Sequence, residues 1–234
     1  MSTPHDGEPA LPRSRFERYR SLIKPLAIGT AALLLLLAFA HLGGEVIEGD
    51  TRGFDLYVLH QAQALRGGHP WVAGVMRDLS GLGSATVLTL LTLITAGYLV
   101  LVSAPNIAVL VVGAALSGTV AVNLLKAAFG RMRPEAAYAE MLVRGLSFPS
   151  GHAGNAAIVF LTLGALLAST RVRPAERAYI LAMASLMALL VGTSRVMLGV
   201  HWATDVLAGW AFGAAWAMLW LLLRRWLAFP RSNS

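Results

Sequence analysis

Apolar runs of the length that a lipid bilayer requires recur along this chain. A helix needs about 20 residues to cross the hydrocarbon core, because each residue advances about 1.5 Å across a thickness of about 30 Å. Six segments meet that requirement, and the first contains Leu33–Leu37 without interruption. The predicted spans cover residues 25–42, 84–103, 106–129, 152–170, 178–198 and 204–223. The sequence therefore predicts an all-α fold, a six-transmembrane helix bundle.

The composition argues against most other classes of protein. Of the 234 residues, 56% are hydrophobic and only 13% are charged, whereas soluble domains carry about 25% charged residues. Disorder is excluded as the main state because so much apolar surface is available for burial. Cysteine is absent, so neither a disulfide framework nor a thiolate metal site can form. The net charge of +7 would suggest nucleic acid in a soluble protein, but here the cations flank apolar runs and point to anionic lipid headgroups.

The longest polar connection, residues 43–83, has a helical pattern of its own. Four residues fall near one helical face: Phe54, Val58, Gln61 and Leu65. A second short stretch begins at Pro70 and Trp71. These patterns predict short interfacial helices in the first extracytoplasmic loop, with tryptophan at headgroup depth. An ordinary extracytoplasmic loop is the alternative, and the sequence does not separate the two.

The chain is expected to form one domain between two tails. Residues 1–24 are interpreted as a cytoplasmic N-terminal tail, residues 25–229 as the six-helix domain, and residues 230–234 as a C-terminal tail. Residues 1–12 contain proline and glycine and are expected to be disordered, as is the tail after Phe229. We interpret the first apolar run as a membrane span and not as a cleaved signal peptide, because it is long, starts late and has no small-residue cleavage site after it.

The distribution of cations orients the predicted spans, because cytoplasmic segments carry an excess of Lys and Arg. Three groups fall on one side of the six spans: Arg13, Arg15, Arg18, Arg20 and Lys24; Arg171, Arg173 and Arg177; Arg224, Arg225 and Arg231. The other side holds Arg52, Arg66, Arg77, Lys126, Arg131, Arg133, Arg144 and Arg195. The excess is 11 against 8, and it sharpens if three of the outer cations serve a site. We therefore expect the second side to be extracytoplasmic.

The first polar stretch, residues 126–134, lies at the outer end of the third predicted span. Lys126 and Arg133 are seven residues apart, about two helical turns, so both are expected to face one point. Pro134 is expected to end the helical path at the residue before it. The alternative is that these cations are interfacial anchors whose charged ends reach the headgroups.

The second stretch precedes the fourth span and reads Pro149, Ser150, Gly151 and His152. Proline and glycine form a turn, and serine is a favourable helix N-cap. The free N–H groups of that helix start would bind an anion, and Gly151 would let a ligand approach the backbone. A plain turn and cap with an uninvolved histidine is the alternative.

The third stretch, residues 194–205, links the last two spans. His201 and Asp205 are four residues apart, so on a helix they share a face. A carboxylate that bonds one imidazole nitrogen leaves the other as a nucleophile or base. Arg195 supplies a fixed fork of donors for phosphate. A helix cap is one alternative, and a metal site is another that the lack of a third nearby ligand disfavours.

All three stretches fall on the same outer face in the six-span interpretation, and together they suit a phosphoryl group. The combined pattern resembles the signature of the type 2 phosphatidic acid phosphatase family, which vanadium haloperoxidases and glucose-6-phosphatase share. The matching residues are Lys126, Arg133 and Pro134; Pro149, Ser150, Gly151 and His152; Ser194, Arg195, His201 and Asp205. The motifs cover residues 126–205, and the span pattern extends the resemblance over about 25–225.

The resemblance implies a role for each motif residue. His201 would attack phosphorus and form a phosphohistidine, Asp205 would orient it, and His152 would protonate the leaving oxygen and then activate water. The phosphoryl oxygens would be held by Lys126, Arg133, Ser150, Gly151 and Arg195. No metal and no other cofactor is expected, because three cations supply the positive charge.

The substrate is expected to be a lipid phosphate or diphosphate in the membrane. Undecaprenyl diphosphate, phosphatidylglycerol phosphate, phosphatidic acid and lipid A phosphates are all compatible with a site at the bilayer surface. A lipid-to-lipid phosphotransferase that uses the same site is the closest alternative. A transporter is disfavoured because ionisable groups would then be expected near the bilayer midplane.

The expected location is the inner membrane of a bacterium, with the active site on the extracytoplasmic face. The bacterial lipid phosphatases of the family share that topology. Membrane lipids are the expected partners, nucleic acid is not expected, and the sequence leaves the oligomeric state open.

Overall fold

The structure, a computed structural model, describes residues 15–227, with side chains from residue 22 onward. The helices are α1 Arg15–Glu48, α2 Arg52–Gly68, α3 Trp71–Leu82, α4 Ala85–Leu101, α5 Pro105–Phe129, α6 Gly151–Ser169, α7 Pro174–Met197 and α8 Ala203–Leu227. A single 3₁₀ turn, Ala136–Tyr138, interrupts the connection between α5 and α6. The tails predicted to be disordered, residues 1–12 and 230–234, lie outside the described residues.

The prediction of an all-α membrane bundle is confirmed. Among the described residues, five helices are long and apolar enough to cross a bilayer: α1 from Leu22 onward, α5, α6, α7 and α8. The second predicted span corresponds to α4, which at 17 residues is the shortest of the six. It meets the length requirement for a sixth span only together with α3, and the two helices are bent by 40° where they meet. Ser84 marks the bend, where its side chain accepts a hydrogen bond from the Val87 amide at 3.2 Å and caps α4.

The first helix is longer than the predicted span over residues 25–42. It begins before Pro25, which lies inside it, and continues past Gly43 and Gly44 to Glu48. Gly49 ends the helix with φ +88°, a left-handed conformation that glycine adopts without strain. The first connection is correspondingly shorter, and it contains the two short helices that were predicted, α2 and α3.

Glycines on α8 bring that helix against α6 within one chain. A Cβ atom on Gly213 would lie 2.4 Å from the Gly154 carbonyl oxygen, and one on Gly209 would lie 2.8 Å from the Ser150 carbonyl oxygen. Only glycine permits such close packing at these positions. As a result, the start of α6 lies directly beside the first turns of α8.

An aromatic cluster supports the segment that leads into α6. The Phe148 ring is fully buried and lies 4.6 Å from Phe129 and 5.8 Å from Phe39, measured between ring centroids. Phe39 in turn packs on Phe212 at 5.6 Å. Side chains from α1, α5 and α8 thus fix the position of residue 148, immediately before the predicted phosphate-binding turn that begins at Pro149.

Candidate active site

The three polar stretches meet at one end of the helix bundle. Lys126 comes from α5, Arg133 from the connection after it, His152 from the first turn of α6, and Arg195 from the last turn of α7. His201 follows in the connection to α8. His152 lies within electrostatic range of the other four residues. The structure therefore brings together the side chains that the sequence motifs single out.

His201 and Asp205 form a buried pair at the centre of this cluster. His201 is 1% exposed and Asp205 is fully buried. The Nδ1 atom of His201 lies 3.2 Å from Oδ2 of Asp205. Because α8 begins at Ala203, His201 precedes the helix and only Asp205 belongs to its first turn. The two residues therefore do not share a helix, although the contact that their spacing predicts is present.

Arg133 contacts the opposite side of the His201 ring. Its Nη1 atom lies 2.9 Å from Nε2 of His201 and donates to the Val200 carbonyl oxygen at 2.7 Å. A guanidinium group can only donate, so Nε2 must accept and the ring proton belongs on Nδ1, toward Asp205. The structure thus defines one tautomer of the neutral ring, with the Nε2 lone pair directed to the cationic side.

The environment keeps His201 neutral. Burial is the strongest influence and lowers the pKa of His201 to about 4, with further lowering from Arg133 and Lys126 and an opposing effect of Asp205. Burial also lowers the pKa of Arg133 from its ordinary value, and Asp205 again opposes this. At neutral pH the pair therefore consists of an uncharged imidazole and a guanidinium cation.

Arg133 reaches the site by a route that the sequence did not predict. α5 ends at Phe129, and Gly130 terminates it with φ +63°. The helical path therefore stops five residues before Pro134, and the prediction that it continues to the residue before the proline was wrong. Lys126 and Arg133 still face one cluster, as predicted, but not along one helix. Arg133 is positioned by the non-helical segment that follows, where its Nε atom donates to the Gly145 carbonyl oxygen at 3.0 Å.

Lys126 and Arg195 approach the cluster from two other helices. Lys126 Nζ donates to the carbonyl oxygens of Leu146 and Ser147 at 2.9 and 3.1 Å. Arg195 is 2% exposed, and its Nη1 atom donates to Ser80 Oγ at 2.5 Å. Its Nε atom is buried and has no hydrogen-bond partner among the described residues. A buried unpaired donor of this kind is costly, so an anionic oxygen at this position would be stabilised.

The start of α6 has the predicted cap. The Ser150 hydroxyl accepts from the Ala153 amide at 3.5 Å, and the Ser150 amide donates to the Asp205 carbonyl oxygen at 2.9 Å. A Cβ atom on Gly151 would lie 3.5 Å from Lys126 Cε, which is ordinary contact. The protein's own packing therefore does not require glycine at position 151.

A second set of polar residues lies behind the histidine and was not predicted from the sequence. Arg131 Nη1 donates to Asp205 Oδ1 at 2.7 Å and to Thr204 Oγ1 at 2.8 Å. Arg131 Nη2 donates to Asp55 Oδ2 at 2.7 Å and to Thr51 Oγ1 at 3.3 Å. One guanidinium therefore joins two fully buried carboxylates, and one of them belongs to α2 in the first connection.

Ser147 and Ser80 were also missed. Ser147 Oγ donates to Asp205 Oδ2 and lies 3.3 Å from His201 Nδ1. A lone serine carries no sequence signal for such a contact. Asp55 begins the buried stripe of α2, which continues through Leu59 and Ala62 to Arg66, but two of these four residues are charged, so the apolar pattern does not identify it.

The donors gathered at the site are side-chain cations and the amides at the start of α6. Within the part of the chain that the structure describes, no group of three or more His, Asp or Glu side chains is arranged to hold a metal ion. What the arrangement can do is hold an anion against an imidazole nitrogen that carries a lone pair.

The fold and this cluster of residues define an integral membrane phosphatase. Residues 106–228 match the family model of the PAP2 superfamily, and that match is more than half of the 234-residue chain. The chain therefore belongs to the PAP2 superfamily, as its motifs predicted.

Individual relatives agree with the family assignment. Phosphatidylglycerophosphatase B of Bacillus subtilis is 30% identical over 184 residues, which cover 76% of this chain and 87% of the relative. Lipid A 1-phosphatase of Rhizobium johnstonii is 36% identical over 106 residues, or 42% of this chain and 39% of that protein. A crystal structure of a transmembrane PAP2-type phosphatidylglycerolphosphate phosphatase from Bacillus subtilis superposes with a TM-score of 0.74 at 28% identity, covering 86% of this chain and 98% of the other.

Proposed function

We propose that this protein is a lipid phosphatase that removes the terminal phosphate of a glycerophospholipid phosphate, and that phosphatidylglycerol phosphate is the first substrate to test. The observation that carries the proposal is the position of His201 between Asp205 and Arg133, at 3.2 and 2.9 Å. The names of the Bacillus subtilis relative and of the superposed structure support the choice of substrate.

His201 is the proposed nucleophile. Its Nε2 lone pair attacks phosphorus, an N–P bond forms, and the bond from phosphorus to the lipid oxygen breaks. The ring gains positive charge as this bond forms, and the Asp205 carboxylate at Nδ1 stabilises that charge. The low pKa of His201, about 4, favours this chemistry because Nε2 is unprotonated at neutral pH. Arg133, which donates to Nε2 at 2.9 Å, would turn to a phosphoryl oxygen as the substrate binds and so free the lone pair.

The phosphoryl oxygens are proposed to be held by three cations, Lys126, Arg133 and Arg195. Ser150 and Gly151 at the start of α6 add further hydrogen-bond donors. Two features support this: the buried Arg195 Nε lacks a partner among the described residues, and the Ser150 amide at the N-terminus of α6 donates to the carbonyl oxygen of Asp205, the residue that contacts His201. Three cations supply the charge that Mg²⁺ supplies in kinases, so we propose that the reaction needs no metal ion.

His152 is proposed to act as general acid and then as general base. In its protonated form it gives a proton to the departing lipid oxygen, so the lipid leaves as an alcohol. The neutral ring then accepts a proton from water as that water attacks the phosphohistidine. The N–P bond breaks, His201 is restored, and inorganic phosphate is released.

The first experiment measures phosphate release in detergent from a panel of lipids with EDTA present throughout. The panel contains phosphatidylglycerol phosphate, phosphatidic acid, undecaprenyl diphosphate and a lipid A phosphate, and His201→Ala is the control. The proposal expects wild-type release, fastest from phosphatidylglycerol phosphate, and no release by the variant. Equal release by both proteins would contradict the role of His201, and activity that depends on added Mg²⁺ would contradict the metal-free reaction.

Product analysis in the same assay separates hydrolysis from phosphotransfer. The proposal expects the phosphate of the substrate to appear in water as inorganic phosphate. If the label appeared instead on an acceptor lipid, the protein would be a lipid-to-lipid phosphotransferase that uses the same residues.

We further propose that the protein resides in a bacterial inner membrane with its active site on the extracytoplasmic face. The chain contains no cysteine, so single cysteines report topology without background. Leu142, at the active-site end, is 92% exposed, and Val172, in the connection between α6 and α7, is 87% exposed. A membrane-impermeant maleimide applied to intact cells should label Leu142→Cys and spare Val172→Cys. The reverse pattern would place the site on the cytoplasmic face.

A further inference from the structure

We propose that Arg131 and Asp55 are positioning residues for the phosphatase reaction. Arg131 fixes the orientation of Asp205. Asp55 offsets the positive charge of Arg131, so that Asp205 still stabilises positive charge on the His201 ring. This inference rests on the proposed function, because it assigns a purpose to the residues behind the proposed nucleophile.

The two oxygens of Asp205 have separate partners. Oδ1 accepts from Arg131 Nη1 at 2.7 Å. Oδ2 faces His201 Nδ1 at 3.2 Å and accepts from the Trp202 amide at 3.0 Å. Because both oxygens are held, the carboxylate cannot rotate away from the imidazole. A hydrogen-bonded partner of this kind orients the group that touches the reacting residue, as in other sites built on histidine.

Arg131 is itself fixed on several sides. Its guanidinium carbon lies 5.4 Å from the centre of the Trp202 ring, and its two terminal nitrogens bond the carboxylates of Asp205 and Asp55. The side chain is 16% exposed. A guanidinium held in one plane by two carboxylates fixes the first turn of α8, which carries Asp205, relative to α2, which carries Asp55.

The second carboxylate matters because of charge. A cation 2.7 Å from Asp205 would on its own cancel most of the field that Asp205 exerts on the His201 ring. Asp55 lies 2.7 Å from the same guanidinium and is fully buried, so the three side chains carry a net charge of about −1 instead of 0. Asp55 thereby preserves the ability of Asp205 to stabilise positive charge on the histidine.

Asp55 also ties α2 to the start of α8. Its Oδ1 atom accepts from the Thr204 amide at 2.9 Å, and its Oδ2 atom accepts from the Thr204 hydroxyl at 2.7 Å. A carboxylate at this helix N-terminus is favourable for the α8 dipole as well. Both contacts lie one residue from Asp205, so a shift of α2 would displace the carboxylate that faces the histidine.

Other charged groups also act on His201 and remain in place in the test. Three act on it directly: Lys126 from α5, Arg133 from the following connection and Asp205 from α8. His152 from α6 interacts with it as well, and Arg195 from α7 acts on its neighbours His152 and Arg133. Substitution of Asp55 or Arg131 leaves each of them unchanged. An upward shift of the histidine titration in Arg131→Gln would therefore report the lost cation, because displacement of Asp205, which raises the pKa of His201, would shift it downward.

The experiment compares Asp55→Asn, Arg131→Gln and the double variant with the wild type, using phosphatidylglycerol phosphate in mixed micelles. Each single variant should lower kcat by about tenfold or more and change KM by no more than about twofold. The acid limb of kcat/KM should move by about one pH unit to higher pH in Arg131→Gln and should not move upward in Asp55→Asn. The double variant, in which the two charge changes cancel, should have its acid limb near that of the wild type.

The matched control is Arg66→Gln. Arg66 is a buried cation on the same helix as Asp55, and it bonds Glu140 at 3.2 Å and the Tyr138 carbonyl oxygen at 2.8 Å instead of Asp205. Thermal stability in the same detergent is measured for all variants. A purely structural network would lower stability in every variant without moving the acid limb, and that result would overturn the inference.

Failure of the inference is distinct from failure of the proposed function. If the wild type released phosphate and His201→Ala did not, but the Asp55 and Arg131 variants kept wild-type kcat or changed only KM, the inference alone would be wrong. If the wild type released phosphate from no lipid, the proposed function itself would be contradicted.

Discussion

The site is built from two regions of the chain that differ in how much the sequence says about them. The helices α5 to α8 and their connections supply the motif residues, among them Lys126, His152 and His201, which face one point. The first connection, with α2 and α3, supplies Asp55 and Ser80. Asp55 bonds Arg131, which lies between Lys126 and Arg133 in sequence, and Ser80 bonds Arg195. The first region carries the proposed chemistry, and the second holds it in place.

The two regions also differ in which of their side chains are buried. On α2 the residues of the predicted apolar face are largely exposed, with Phe54 at 51% and Leu65 at 47%. The neighbouring stripe is buried, although it begins with Asp55 at 0% and ends near Arg66 at 6%. On α2, therefore, the buried side chains include charged residues that form ion pairs at the active-site end of the bundle. In the long helices of the bundle, the buried side chains are mainly small and apolar.

The largest effect is expected from a substitution in the motif region. Asp205→Asn should lower kcat by about 10³- to 10⁴-fold with little change in KM, because an amide cannot stabilise a positively charged imidazole and favours the wrong tautomer. Steady-state kinetics with phosphatidylglycerol phosphate measure this. A loss smaller than about tenfold would mean that Asp205 serves the fold and not the reaction.

A substitution at the start of α6 tests whether glycine serves the substrate. Gly151→Ala should fold normally, since its Cβ would lie 3.5 Å from Lys126 Cε, but it should lose phosphate release by about 100-fold because the Cβ blocks the approach of a phosphoryl group. Gly213→Ala is the contrasting variant, since its Cβ would lie 2.4 Å from a backbone oxygen. Gly213→Ala should lower the thermal stability of the protein in detergent, because helices α6 and α8 would have to move apart. Full activity in Gly151→Ala would remove position 151 from the phosphate site.

A smaller effect is expected from the supporting region. Ser80→Ala removes the hydroxyl that accepts from Arg195 at 2.5 Å, so the guanidinium should be less well oriented. KM should rise by about fivefold, which corresponds to one hydrogen bond of about 1 kcal/mol, while the folded protein is retained. Binding of orthovanadate, a phosphate analogue, should weaken in parallel. Unchanged KM and unchanged vanadate binding would show that Ser80 has no part in orienting Arg195.

The smallest change is expected in the titration of His201 itself. Its pKa of about 4 means that the neutral ring persists as the pH falls from 7 to 5, and protonation follows only as the pH passes through about 4. An unperturbed histidine would protonate near pH 6.5. NMR of ¹⁵N-labelled histidine, assigned with His201→Asn, should show little change in the His201 signal above pH 5. A midpoint near 6.5 would contradict the buried, neutral ring.

The bundle and the motif residues could be predicted because each leaves a local pattern. Apolar runs set the helices, and the spacing from His201 to Asp205 places the two side chains in contact. Even there, the helix end expected next to Pro134 was wrong, because Gly130 ends α5 earlier and Arg133 lies outside the helix. Both endings are allowed by the sequence, and the positive φ of Gly130 decides between them.

The supporting residues could not be predicted because their partners are distant in sequence. Asp55 meets Arg131 across 76 residues, and Ser80 meets Arg195 across 115. Each is an ordinary polar residue until the first connection packs against α7 and α8. The sequence alone leaves the burial of these residues undetermined, since an acidic residue on an amphipathic helix is usually solvated.

The most direct test of the account is to trap the covalent intermediate. Protein is mixed with phosphatidylglycerol [³²P]phosphate carrying the label in its terminal phosphate, quenched within milliseconds in alkali, digested and mapped. The account predicts label on His201 that is stable to alkali, labile to acid, and absent from His201→Ala. Label on another residue, or equal labelling of the variant, would contradict the assignment of His201 as the nucleophile.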